Sequence, residues 1–273
     1  AIGNQSQLNA STGEFNTSLG SLSMGSGVTT GDSNVALGYK AAQALTSGGS
    51  NIIIGELAGA NAAATSNNIA IGYKSLFTEN NHGKNTAVGH QSLQTLRAGA
   101  DGYNVAVGYD AGVAMTTGVQ NTLIGGLAGD ALTTGVSNTA LGGSALGVSI
   151  TGSYNTAVGR FAIGSGATTG SYNTALGYYS GRLLTSGGSN ILLGGYAGSN
   201  ITIGQNNVAI GMQALAASVD GDYNTAVGWK ALEDYEDGDG SGHNTAIGAS
   251  SQLNATTGEF NTSLGSLSMG SGV

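Results

Sequence analysis

Tyr154-Asn155-Thr156-Ala157-Val158-Gly159 is one copy of a motif that runs the length of the chain. An asparagine opens every copy, at Asn16, Asn34, Asn51, Asn68, Asn85, Asn104, Asn121, Asn138, Asn155, Asn173, Asn190, Asn207, Asn224, Asn244 and Asn261. A β-branched residue, a small or aliphatic residue, an aliphatic residue and a glycine follow it. The spacing is mostly 17 residues, with excursions to 18, 19 and 20. A fixed period of this length marks a repeat architecture in which each unit buries its face only against its neighbours. The reading is an all-β fold, a β-solenoid of the β-roll type with coils of about 17 residues and two short strands per coil.

Parity along the motif sorts its side chains. Thr156 and Val158 fall on one face of an extended segment, and Asn155, Ala157 and Gly159 on the other. The Val158 slot is aliphatic in every copy, from Leu37, Ile54 and Ile71 to Val227 and Ile247, so it is expected in a core. The Ala157 slot is small, which allows another strand or another chain to approach closely. Two readings of it stay open: alanine is merely tolerated there, or it marks a subunit contact. Stacked coils would also set the asparagines one above another, each side-chain amide donating to the next in a ladder along the axis. Asn and Gly tolerate the left-handed backbone of tight corners.

After the glycine comes a second segment, such as Gly38-Tyr39-Lys40-Ala41-Ala42. The seventh residue after each Asn is Ala or Ser, as in Ala41, Ser75, Ala162 and Ala231. The eighth is often Leu, Ile or Gly, as in Leu76, Gly112, Ile163 and Leu232. This segment reads as a second strand with a small inward residue. Turn chemistry follows, for example Thr169-Gly170-Ser171-Tyr172 and Thr185-Ser186-Gly187-Gly188.

A longer period is nested over the first. Residues 1–28 recur at 246–273 with three changes, Asn4 to Ala249, Gln5 to Ser250 and Ser11 to Thr256. The copies lie 245 residues apart, fourteen coils. The expected organisation is one super-repeat over 1–245 and the start of the next over 246–273, within a longer fibre that continues end to end. Two or three aliphatic side chains per coil are little to set against the ordering of a whole coil, so association with further chains is expected.

Composition narrows the class. Glycine supplies 50 of 273 residues, and proline and cysteine are absent. The glycines do not fall at every third position, which excludes collagen. With a net charge of -8 and no basic stripe, nucleic acid is not an expected partner. No apolar run is long enough to expect membrane insertion. A surface of Ser, Thr, Asn and Gly suits an extracellular, cell-surface or virion setting better than a cytosolic enzyme.

The long coils carry the exceptions. Asp234, Glu236, Asp237 and Asp239, spaced by Gly238 and Gly240, form an oxygen-rich loop that could take Ca²⁺. Their spacing matches neither the twelve-residue calcium loop nor the nonapeptide repeat, and a solvated acidic loop is the better reading. The three histidines, His82, His90 and His243, share no coil and no metal-ligand spacing. No nucleophile, base and orienting group stand together, so the expectation is no enzyme and no resident cofactor. Tyr103, Tyr154, Tyr172 and Tyr223 precede the Asn, while Tyr39, Tyr73, Tyr109, Tyr178 and Trp229 follow the Gly. Stacking would turn these into columns that cover coil edges or form platforms for sugars.

The units Asn85-Thr86-Ala87-Val88-Gly89-His90-Gln91-Ser92-Leu93 and Asn224-Thr225-Ala226-Val227-Gly228-Trp229-Lys230-Ala231-Leu232 resemble two related groups. One is the β-roll head of trimeric autotransporter adhesins of the YadA type. The other is the repetitive bacterial and phage tail-fibre proteins with an Asn-Thr-Ala-Val-Gly-Tyr repeat. The resemblance covers the whole chain, although the adhesin heads have shorter coils. It implies a parallel homotrimeric fibre, extracellular or virion-borne, that serves as a stalk or adhesive shaft and meets a host-surface or glycan receptor. A tail-fibre shaft carrying a separate receptor-binding tip is the alternative. Ice binding through a flat threonine face is disfavoured, because Val35, Ile52, Ile69, Val105, Ile191 and Val208 interrupt the threonine column.

Overall fold

The computed structural model describes residues 1–8, 11–25, 28–79, 81–235 and 242–269. Its contacts divide the chain into two compact units, Ala1–Ser137 and Asn138–Val273. The first holds β1 (Thr17–Leu19), β2 (Val35–Leu37), β3 (Ile52–Ile54), β4 (Ile69–Ile71), β5 (Thr86–Val88), β6 (Val105–Val107) and β7 (Thr122–Ile124). The second holds β8 (Thr139–Leu141), β9 (Thr156–Val158), β10 (Thr174–Leu176), β11 (Ile191–Leu193), β12 (Val208–Ile210), β13 (Thr225–Val227), β14 (Thr245–Ile247) and β15 (Thr262–Leu264). Each strand is the stretch between a motif Asn and its Gly.

Within each unit successive strands pair in parallel and in register, so that Thr156 faces Thr139 on one side and Thr174 on the other. The chain is a parallel β-solenoid of coils of about 17 residues, with no helix among the described residues. Backbone bonds between coils continue past the strands: Ile163 donates to the Ser180 carbonyl at 3.0 Å and Thr169 to that of Thr185 at 2.7 Å. Within each unit, coils are thus tied to their neighbours around the circumference, which satisfies backbone groups that a coil this thin cannot satisfy internally.

The two faces of the strand are the reverse of those expected from hydrophobicity. Ala157 is fully buried, as are Ala36, Ala87 and Ala226, whereas the Val158 slot points outward. Leu141 and Leu176 keep 47% and 49% of their surface exposed. The reason lies in the asparagine. Asn155 and its counterparts turn inward and are buried, and strand alternation then carries the second residue after Asn inward and the first and third outward. The alanine slot therefore serves the chain's own interior and is not a contact with another subunit. Its close approach is to the far wall of the coil, where the Ser180 Oγ reaches the Leu192 carbonyl at 2.6 Å.

The expected second strand is also replaced. Among the described residues each coil has one strand, and the segment after the Gly is a run of tight turns. Ala162 donates to Gly159 at 3.2 Å and Gly164 to Phe161 at 3.1 Å. Phe161 and Ile163 adopt left-handed φ values of 57° and 47°. Ala162 and Ile163 are both fully buried, a pairing of consecutive residues that an extended strand would send to opposite sides. Left-handed backbone also recurs at the residue before the Asn, as at Tyr154 and Tyr172, and not at the Asn itself.

The core is filled by compensation of size. Where the eighth residue after Asn is large, as in Leu215, the strand's inward residue is small, here Ala209. Where it is Gly, the large inward residue comes from the same coil, as Leu192 does beside Gly198, or from the next, as Leu192 does beside Gly181, whose own strand carries Ala175. A Cβ placed on Gly198 would lie 2.7 Å from Leu192 Cδ2, so the glycine makes room for the leucine.

Candidate functional site

Three arrangements of side chains stand out: the inward asparagine file, the outward strand face and the aromatic columns beside it. In the file, Asn155 Oδ1 accepts from the backbone N–H of Asn173 at 2.9 Å and from its Nδ2 at 3.1 Å. Asn155 Nδ2 donates to the Gly170 carbonyl at 3.0 Å. The same set recurs with Asn34 on Asn16, Asn51 on Asn34, Asn190 on Asn173 and Asn207 on Asn190. The backbone bond extends it through Asn68, Asn85, Asn104 and Asn121 in the first unit. In the second unit it runs from Asn138 through Asn224, Asn244 and Asn261. These amides seal the corner between turn and strand.

Replacing Asn155 by Ala strands the Asn173 N–H and removes the Gly170 carbonyl's partner, all in a buried corner. A loss of about 2 kcal/mol is expected, read as faster hydrogen exchange at Asn173 and Thr174 and a lower urea midpoint. Unchanged protection at both amides would show that the file carries no stability.

The outward face presents four parallel columns. The residue before Asn, the first and third residues after it, and the residue after Gly give rows such as Tyr172, Thr174, Leu176 and Tyr178. Leu141, Leu176, Ile191, Ile210 and Ile247 are exposed along it. Beside this aliphatic face the rings stack from coil to coil. His90 lies between Tyr73 at 5.2 Å and Tyr109 at 4.9 Å, and His243 between Tyr223 at 4.8 Å and Phe260 at 4.9 Å. His90 Nδ1 also sits 3.2 Å from Asp110 Oδ1. The lysines lie over rings in their turn, Lys40 over Tyr39, Lys74 over Tyr73 and Lys230 over Trp229.

Compared with protein-family models, with curated proteins and with solved structures, the chain matches none.

Charged groups are sparse and placed at turns. Lys84 bonds Asp101 at 2.7 Å and the Tyr103 hydroxyl at 2.9 Å. The Asp101 carboxylate, followed by the Tyr103 hydroxyl, raises the Lys84 ammonium above its ordinary range, and the hydrogen bond from Lys84 holds Asp101 below its own. Burial pushes the Asp130 carboxyl up. Asp234 is exposed, while Glu236, Asp237 and Asp239 of the candidate Ca²⁺ loop lie outside the described residues. Among the described residues no three His, Cys, Asp or Glu side chains gather as a metal set. His82 stands 3.8 Å from Glu79, apart from the other histidines.

Glu79 was not singled out from the sequence. It takes the slot, eleven residues after the Asn, that Leu96, Met115, Leu132 and Leu184 fill in other coils, and it is fully buried. Its Oε1 accepts from the His82 N–H at 3.1 Å and its Oε2 from the Ala98 N–H at 3.0 Å, which ties one turn to the next coil. The signal available beforehand was column position: it is a carboxylate in an otherwise uncharged file.

Proposed function

We propose that the chain is a shaft segment of a long extracellular fibre, non-enzymatic, that assembles with parallel copies of itself through the outward strand face and serves as a stalk or adhesive shaft. The observation that carries this reading is the aliphatic file on the outside of the sheet. Contiguous exposed apolar surface of this kind marks an interface. Here it repeats once per coil, so an identical parallel copy would meet it at every level. The subunit contact thus moves from the alanine slot, which is interior, to the Val158 slot. The resemblance to adhesin heads and tail fibres supports three-fold closure, in which each copy shares this face with two others.

Sedimentation equilibrium tests the reading. The wild-type chain is expected to sediment as a trimer. A Leu176→Lys, Ile210→Lys variant, which places charges on the file without touching the interior, is expected to sediment as a monomer with an unchanged circular dichroism spectrum. A monomeric wild type at micromolar concentration would overturn the proposal.

A further inference from the structure

Between Asp130 and Asp220 the only charged side chains are Arg160 and Arg182, in a chain whose net charge is -8. The second unit brings both to one place. The Arg160 guanidinium lies 4.6 Å over the Phe161 ring, Phe161 stacks on Tyr179 at 5.3 Å and 14°, and the Arg182 guanidinium lies 5.1 Å from the Tyr179 centroid. Tyr178 and Tyr196 join at 4.1 and 5.4 Å from Tyr179. The coil-to-coil ladder makes this cluster, because Tyr179 N–H donates to the Arg160 carbonyl at 3.2 Å and Tyr196 N–H to that of Tyr178 at 2.9 Å.

The patch differs in its charge balance from two of the other cation and ring pairs, those of Lys84 and Lys230. Lys84 has Asp101 at 2.7 Å and Lys230 has Glu233 at 3.0 Å. Arg160 and Arg182 have no carboxylate in their stretch of sequence at all, and Arg182 Nε is buried without a hydrogen-bond partner. Two guanidiniums seated over rings, with no carboxylate in their stretch of sequence, offer forked donors to a planar anion. The exposed faces of Tyr178 and Tyr196 beside them offer apolar platforms. Arg160 and Tyr178 stand in the residue-after-Gly column at the margin of the outward face, and Arg182 and Tyr196 lie further past the bend.

We propose that Arg160, Arg182, Tyr178 and Tyr196 form a lateral binding site for a saccharide whose sugar rings carry carboxylates. The rings of the sugar lie on the tyrosines, and the carboxylates pair with the guanidiniums. Adjacent coils are about 4.8 Å apart, so the rings and guanidiniums of successive levels recur on the scale of a single sugar ring. The site deepens the reading of the chain as an adhesive shaft, yet its geometry belongs to a single chain.

The test is calorimetric titration of the full chain with an oligogalacturonate, with a neutral oligosaccharide of equal length, and with a sulfated one. Saturable binding of the uronate that weakens as salt rises, with no binding of the neutral chain, is expected. Arg160→Gln with Arg182→Gln should weaken it by roughly tenfold or more, and Tyr196→Ala should weaken it without changing the salt dependence. If the double variant fails to fold by circular dichroism, Arg182→Lys takes its place: it keeps the charge, loses the fork, and should still bind less tightly. Equal binding of neutral and acidic chains, equal binding of the sulfated chain, no saturable binding, or full affinity in the folded variants would each overturn the proposal. Sedimentation of the same samples separates the two readings, since a monomer that binds uronate keeps this site and discards the shaft, and a trimer that does not bind does the reverse.

Discussion

Gly177→Ala is expected to be among the most damaging single-methyl changes in the chain. Gly177 ends β10 with φ +138°, a conformation that residues with a Cβ rarely adopt, and an added Cβ would lie 2.6 Å from the carbonyl oxygen of Gly194 in the next coil. Backbone strain and the backbone collision add, because the collision is with main chain that the ladder holds in place: Gly194 N–H donates to the Leu176 carbonyl at 2.8 Å. The expected loss is about 4 kcal/mol. Since coils touch only their neighbours, the damage should be confined to the coils around β10 and β11. Hydrogen exchange should show opening there, with protection in the first unit unchanged. A stable, fully protected Gly177→Ala chain would refute the close stacking of these glycines.

Leu192→Ala should cost about as much by a different route. Leu192 is fully buried, and its methyl carbons occupy the space left by two glycines: a Cβ on Gly181 would be 2.7 Å from Cδ1, and one on Gly198 2.7 Å from Cδ2. Truncation opens a cavity in a core only one side chain thick, with a loss of about 3–4 kcal/mol. The compensation between inward slots makes a sharper forecast. Gly198→Leu alone should destabilise by overpacking against Leu192 and Ile201. In the Leu192→Ala background the same change should restore part of the loss, because it recreates the pairing of Ala209 with Leu215 in the next coil. Urea midpoints of the four chains close the cycle, and simple additivity would count against shared space.

Much of the construction was legible beforehand. Each strand lies where the motif placed it, from Asn to Gly, and the seventh residue after Asn is small and buried, as at Ala41, Ser75 and Ala162. The error in the strand faces is instructive. Asn155 and Val158 stand on opposite faces, so an inward asparagine and an inward valine were incompatible from the start. Hydrophobicity favoured the valine. The asparagine prevails because the corner it seals contains backbone groups that no apolar side chain can satisfy, and leaving those unpaired is costly. The left-handed corners were misread for a related reason. Alternating left- and right-handed residues, as at Phe161 to Ile163, leave no period-two hydrophobic pattern that separates them from a strand.

By itself the sequence determined the period, the position of each strand, the bend at each motif glycine and the repeated Asn. These are properties of one coil, and the residues that make them are near neighbours in the chain. Tertiary structure alone decided which side of the strand is interior and which residues of different coils meet. Arg160, Phe161, Tyr179 and Arg182 become one cluster, and Glu79 reaches Ala98, only once coils of unequal length are stacked in register. Such contacts depend on how the ladder aligns one turn with the next, and that alignment is set by hydrogen bonds between coils, which no single repeat contains.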